Sequence, residues 1–142
     1  MRAKNFLSRT STVFALEDIR SFPFFLRKGD RVFLSGDLGA GKTTLTKHFI
    51  SRFLGEETMV KSPTYVYYNR YGPHLYHFDL YRIGADYETF VNIGGEEILD
   101  DPDNICIVEW PEVLEGHYIP TVGIHLDKTD QENTRKAIIT IF

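Results

Sequence analysis

The stretch Asp30–Gly55, DRVFLSGDLGAGKTTLTKHFISRFLG, decides the fold. DRVFLSG reads as a buried strand that runs directly into glycine. GDLGAGKT, Gly36 to Thr43, is Gly, four residues, Gly-Lys and then Thr, the spacing of a phosphate-binding loop. From Lys42 to Leu54 the order returns to helical periodicity, with Leu45, Phe49 and Phe53 on one stripe and Gly55 as the stop. Strand, glycine loop and helix in that order predict an α/β fold with an anion grip where strand meets helix.

Each loop position has a physical task. Gly36, Gly39 and Gly41 let the backbone turn left-handed and approach an anion closely, so that successive N–H groups from Gly36, Asp37, Leu38, Gly39, Ala40 and Gly41 face phosphate oxygens. Lys42 adds a point charge for the β and γ phosphates, Thr43 offers a hydroxyl to Mg²⁺, and Thr44 follows at the helix start beside the α phosphate. The bland reading of the same residues is a glycine turn capping a helix without ligand.

Cleaving a nucleotide also needs an acid to hold metal or orient water. Glu109 closes the apolar run ICIVE, at the carboxyl end of a strand, where ligands of open α/β sheets sit. Its alternative is a solvated strand end. Asp79 is a second acid, set in the apolar stretch HFDLYR, His77 to Arg82. A buried carboxylate requires a cation or a metal. If the strand ran on to Arg82, period two would put Asp79 and Arg82 on opposite faces and His77 on the face of Asp79. The spacing leaves a metal role and an ion pair with Arg52 or Arg70 equally open. Thr64 in SPTY, Ser62 to Tyr65, is a candidate γ-phosphate sensor, with a proline-directed turn as the alternative. The five histidines show no metal-ligand spacing and suggest no Ser-His-Asp set; His48 and His77 read as packing or surface residues.

Elsewhere, TVFALEDIRSF carries Val13, Leu16 and Ile19 at helical spacing and predicts a short helix limited by Pro23. SPTYVYYNRY and HLYHFDL, separated by Gly72-Pro73, read as an antiparallel hairpin. ADYETFVNIGGEEILD reads as two helical pieces broken at Gly94-Gly95, NICIVEW as a central strand buried on both faces, and TVGIHL with KAIITIF as a terminal hairpin. The expected fold is α/β, three-layered and P-loop NTPase-like, with a mixed central sheet that contains antiparallel hairpins.

At 142 residues, with 42% hydrophobic and 25% charged residues, the chain predicts one domain over residues 1–142. MRAKNFLSRTS lacks a signal peptide's apolar core and the apolar runs are short, so a cytoplasmic protein without membrane contact is expected. The single cysteine, Cys106, cannot form an internal disulfide and reads as a reduced core residue. A net charge of −4 argues against a large basic nucleic-acid surface, so any RNA substrate would be held by a partner.

GDLGAGKTT, SPTY, HFDLYR and EWPE, in this order, resemble the bacterial TsaE (YjeE) family over essentially the whole chain, including the strand near residues 119 to 126 and the Arg135 region. The resemblance implies a Mg-dependent ATPase needed to make N6-threonylcarbamoyladenosine (t6A) at adenosine 37 of tRNA. It also implies TsaD and TsaB as partners, tRNA contacted only through that complex, and hydrolysis, weak alone and stimulated by the partners, that supports their turnover. Carried over by position, Lys42, Asp79 and Glu109 are the catalytic residues, and Thr43, Asp79 and Glu109 the Mg²⁺ site. Thr64 becomes a switch residue and Trp110 an aromatic beside the nucleotide, and Asp79 moves from the even split to the Mg-ATP site. Two departures stand out: a proline in the first helix region, and Tyr65 where Phe is common. The rival readings are a small P-loop kinase, for which acceptor pocket and arginine lid are missing from the sequence, and a nucleotide-gated binding module without essential hydrolysis. No Asn-Lys-x-Asp motif for guanine is present.

Overall fold

The strand that feeds the glycine loop, β2 (Arg31–Ser35), is central because it supplies apolar side chains in both directions: Val32 and Leu34 enter one core and Phe33 the other. The computed structural model describes residues 6–55, 67–84 and 86–142. The other strands are β1 (Ser8–Ala15), β3 (Tyr68–Arg70), β4 (Leu75–Asp79), β5 (Ile105–Glu109), β6 (Val122–Lys128) and β7 (Thr134–Ile141). They form a seven-stranded sheet in the order β1-β7-β6-β2-β5-β4-β3. The inner run β6-β2-β5-β4 is parallel, and antiparallel pairs close each side: β3 with β4, and β7 with both β6 and β1.

Helices cover both faces. On one, α1 (Lys42–Leu54) sinks Leu45, Phe49 and Ile50 onto Val32, Leu34, Ile105 and Ile107. On the other, α2 (Tyr87–Asn92), α3 (Gly95–Asp100) and a 3-10 turn, Pro111–Leu114, place Phe90, Leu99, Val113 and Leu114 against Phe33, Cys106 and Val108. Every residue of β5 is buried, as a strand between two helical layers must be. The expected three-layer α/β fold with a mixed sheet is what forms. Both hairpins and the break between the helical pieces at Gly94, which adopts φ 87°, also form.

Two readings need correction. Val13 does not start a helix: Ser8–Ala15 is a strand paired residue for residue with β7, and the helical piece is only a 3-10 turn, Leu16–Ser21. Thr10, Thr12, Val13 and Phe14 are β-branched or aromatic, and the free edge of β7 takes them as a strand; Phe14 faces the core while Val13 is 64% exposed. The α1 stripe also ends one turn early, since Phe53 is 46% exposed and Ile50 fills the buried position. SPTY and Thr64 lie outside the described residues.

Cys106 is 1% exposed, and burial pushes its thiol up to about 12, so it is an inert core group. No helix among the described residues is long and apolar enough to cross a membrane.

The α2–α3 junction is tight. A Cβ on Gly95 would stand 2.4 Å from the Phe90 ring, and Phe90 is fully buried. Gly95→Ala should therefore cost about 1–3 kcal/mol of unfolding free energy through overpacking. A lower urea midpoint at unchanged slope is the expected reading; an unchanged midpoint would mean that the Phe90 ring moves aside freely.

Candidate active site

Three parallel strands end at one level and build the site. Leu34 and Asp79 are both paired in register with Glu109, so Glu109 stands beside the point where β2 becomes the glycine loop and Asp79 one strand further out at the same level. Gly36 starts that loop at φ 142°, where an added Cβ would stand 2.5 Å from the Leu126 carbonyl oxygen. Only glycine fits there. Gly41, at φ 108°, turns the chain into α1 without a side-chain cap, leaving the first helical N–H groups facing the cleft.

A cleft of about 360 Å³ opens over this junction, lined by Gly39, Gly41, Lys42, Thr43, Thr44, Asp79, Glu109, Trp110 and, at its edge, Leu16, Leu38 and Arg135. Lys42 is 5% exposed; its ammonium donates to the Gly36 and Asp37 carbonyls, the latter at 2.9 Å, and lies 4.0 Å from the centre of the Trp110 ring. Burial lowers the ammonium's pKa, while Glu109, Glu112, Asp79 and Asp37 hold its charge in place.

Glu109 is 2% exposed and has two anchors. The Thr43 hydroxyl donates to its carboxylate at 3.0 and 3.2 Å, and His77 Nε2 lies 2.6 Å from Oε2. A carboxylate only accepts, so the proton of the second bond sits on Nε2. Asp79 is half-buried; burial raises its pKa, the Tyr81 N–H donating at 3.1 Å lowers it, and the adjacent Glu109 raises it further. The arginine alternatives for Asp79 do not hold: Arg52 donates to the Arg20 carbonyl and packs on Phe25, and Arg70 donates to the Gly72 and Pro73 carbonyls. The chain also leaves the strand after Asp79, with Tyr81–Ile83 a 3-10 turn, so the premise of a strand running to Arg82 fails.

The donor set is all oxygen: one hydroxyl and two carboxylates. Among the described residues no group of three His, Cys, Asp or Glu is placed to hold a metal alone. Such a sparse set suits Mg²⁺, which keeps waters and takes phosphate oxygens along with one or two carboxylates.

Of the residues singled out in the sequence, Leu38, Gly39, Gly41 to Thr44, Asp79, Glu109 and Trp110 line this cleft, while Gly36, Asp37 and Ala40 belong to the same loop but do not line it. Three contributors were missed. His77, in phase with Leu75 and Asp79 on β4, is 0% exposed and holds Glu109. Arg135 is 8% exposed and bonds the Ala40 carbonyl at 2.9 Å and the Gly39 carbonyl at 3.3 Å, bracing the loop from behind. Its position, alternating with buried Ala137 and Ile139, was the available signal. Tyr81 packs on Trp110 with ring centres 4.8 Å apart. The fold also aligns a Ser-His-Asp row that the sequence did not suggest: His125 Nδ1 lies 2.8 Å from Ser35 Oγ and its Nε2 3.1 Å from Asp127 Oδ1. With His125 47% and Asp127 55% exposed, this is a cross-strand surface network.

The family model described as Threonylcarbamoyl adenosine biosynthesis protein TsaE matches residues 12–138. A Haemophilus influenzae protein named tRNA threonylcarbamoyladenosine biosynthesis protein TsaE is 46% identical over 129 residues, 81% of this chain and 79% of that protein. A Rickettsia felis protein of the same name is 36% identical over 120 residues, 81% of this chain and 68% of its own. The crystal structure of Bacillus subtilus YdiB superposes with a TM-score of 0.68 at 27% identity, over 94% of this chain and 86% of that one.

The His77–Glu109 pair has a measurable signature. His77→Leu takes away one of the two hydrogen-bond partners of the buried Glu109 carboxylate and should cost about 1–3 kcal/mol of stability. Adding Glu109→Leu removes the stranded charge and should restore part of that loss. Urea unfolding distinguishes the cases; a double variant less stable than His77→Leu alone would contradict the pairing.

Proposed function

The chain belongs to the TsaE family, whose role lies in tRNA threonylcarbamoyladenosine biosynthesis, and from that premise we propose that it is a single-domain, Mg-dependent ATPase acting in the cytoplasm with TsaD and TsaB. In this reading ATP hydrolysis supports turnover of the TsaB-TsaD transferase at adenosine 37, and tRNA is met only through the complex. The observation that carries the reading is the convergence of the Thr43 hydroxyl, Asp79 and Glu109 below a glycine loop whose lysine is buried beside them.

Each residue then has a task that its surroundings favour. The loop N–H groups from Gly36 to Gly41 would receive the phosphates, with Thr44 at the start of α1 and with the Ala40 N–H, which donates to the Asp37 carbonyl at 3.1 Å, first having to leave it. Lys42, whose ammonium now rests on two loop carbonyls, would transfer those donors to the β and γ oxygens. Thr43, Asp79 and Glu109 would hold the metal, which when bound would neutralise phosphate charge. Glu109, which His77 holds, would orient the attacking water, and Trp110 walls the side of the cleft. Thr64 completes the proposed set as the γ-phosphate switch. The lack of a guanine motif disfavours GTP, and the preference for adenine rests on the family resemblance.

Purified protein should hydrolyse ATP slowly, and TsaB with TsaD should raise the rate. Lys42→Ala and Glu109→Ala should each lower kcat about 10²-fold or more with the fold retained by circular dichroism. Reconstituted t6A formation should need this chain for multiple turnover; equal turnover without it would overturn the role. Full support of modification by a variant that binds but does not cleave ATP would make hydrolysis incidental, and phosphate transfer to a metabolite would favour a kinase.

A further inference from the structure

A second and larger cleft, about 660 Å³, lies on the other side of Trp110. Its walls are aromatic and acidic: Tyr81, Tyr87, Trp110 and His117 together with Glu112 and Glu115. The rings are already organised. Tyr87 and His117 are stacked at 3.6 Å and 5°, with the Tyr87 hydroxyl held outside by Glu96 at 2.7 Å, and Tyr81, 52% exposed, leans on Trp110. Glu112 and Glu115 are exposed, and neither carboxylate has a hydrogen bond or ion pair at contact distance among the described residues, although Glu112 also acts through space on the Lys42 ammonium. No Lys or Arg among the described residues lines this cleft.

Aromatic faces attract cations through their quadrupole, and paired carboxylates add charge complementarity. A planar guanidinium satisfies both, since it stacks on rings while its fork of donors meets carboxylates, which a compact ammonium does less well. The space exceeds one side chain, so neighbouring backbone would enter with it. RNA is disfavoured because its phosphates would meet two carboxylates.

We infer that this cleft receives an arginine side chain presented by a segment of a partner protein, stacked against Tyr81 and Trp110 and paired with Glu112 and Glu115. Its ring wall is shared with the nucleotide cleft, where the Lys42 ammonium packs on the same indole, so both occupants would be sensed at one side chain. Binding of the arginine does not depend on ATP hydrolysis, so its test and the test of the ATPase reading fail separately.

Trp110 is the one tryptophan in the chain, which makes its emission a direct reporter of the wall. The intact protein, without nucleotide, is titrated with acetyl-Gly-Arg-Gly-amide and with the same peptide carrying citrulline, a neutral isostere of arginine. A saturable emission change is expected with the arginine peptide, weaker by about fivefold or more with citrulline and for Glu112→Gln/Glu115→Gln. Tyr81→Leu should weaken it independently of the carboxylates, with circular dichroism showing that each variant is folded. Equal affinity for both peptides, no saturable change, or a response to oligouridylate in place of the arginine peptide would each overturn the inference.

Discussion

Burying the Glu109 carboxylate is the constraint on which the site depends. At 2% exposure, on a strand flanked by helical layers, an acid is tolerated only when its lone pairs are occupied. The partners come from two other elements: Thr43 from the first turn of α1 and His77 from β4. The same two bonds therefore fix the helix start, the neighbouring strand and the acid relative to one another. Evenly registered parallel strands do the rest, bringing Asp79 level with Glu109 and Glu109 beside the end of β2. In the proposed chemistry this is preorganisation, since little is left to reorient when charge develops on a phosphate.

The glycine loop is braced from a less expected direction. Its inner side is closed by the Lys42 ammonium on the loop's own carbonyls. Its outer side is held by Arg135, whose guanidinium spans the Gly39 and Ala40 carbonyls and also bonds the Glu132 and Thr134 carbonyls. Arg135 stands at the start of β7, in the antiparallel part of the sheet. The terminal hairpin is thus more than an extension of the core, because it fixes the loop against the parallel strands. β1 in turn covers the edge of β7.

Much of this was legible where one physical rule acted alone. The strand, loop and α1 followed from periodicity and glycine spacing, and β5 from an unbroken apolar run. What was hidden depended on pairing between distant segments. Val13, Leu16 and Ile19 have helical spacing, yet the open edge of β7 took Ser8–Ala15, Val13 included, as a strand. His77 and Arg135 look like ordinary polar residues until the sheet aligns them, although both lie in the buried phase of their strands. The role of Asp79 was also unreadable locally, because the arginines that could have paired with it turn to backbone carbonyls instead.

Trp110 shows how the local backbone serves the site. It has φ 57° and ψ 60°, and among the described residues no other non-glycine takes a positive φ. Glycine would occupy that conformation without strain, whereas a bulky residue there costs on the order of 1–3 kcal/mol. The strain sits directly after Glu109, so the chain turns out of β5 sharply enough to stand the indole between two clefts, with the Lys42 ammonium on one side and Tyr81 on the other. A relaxed turn would leave β5 along its own direction and carry the ring away from Lys42. The fold therefore sustains a strained residue where a flat, polarisable wall is shared by the glycine-loop cleft and its acidic neighbour.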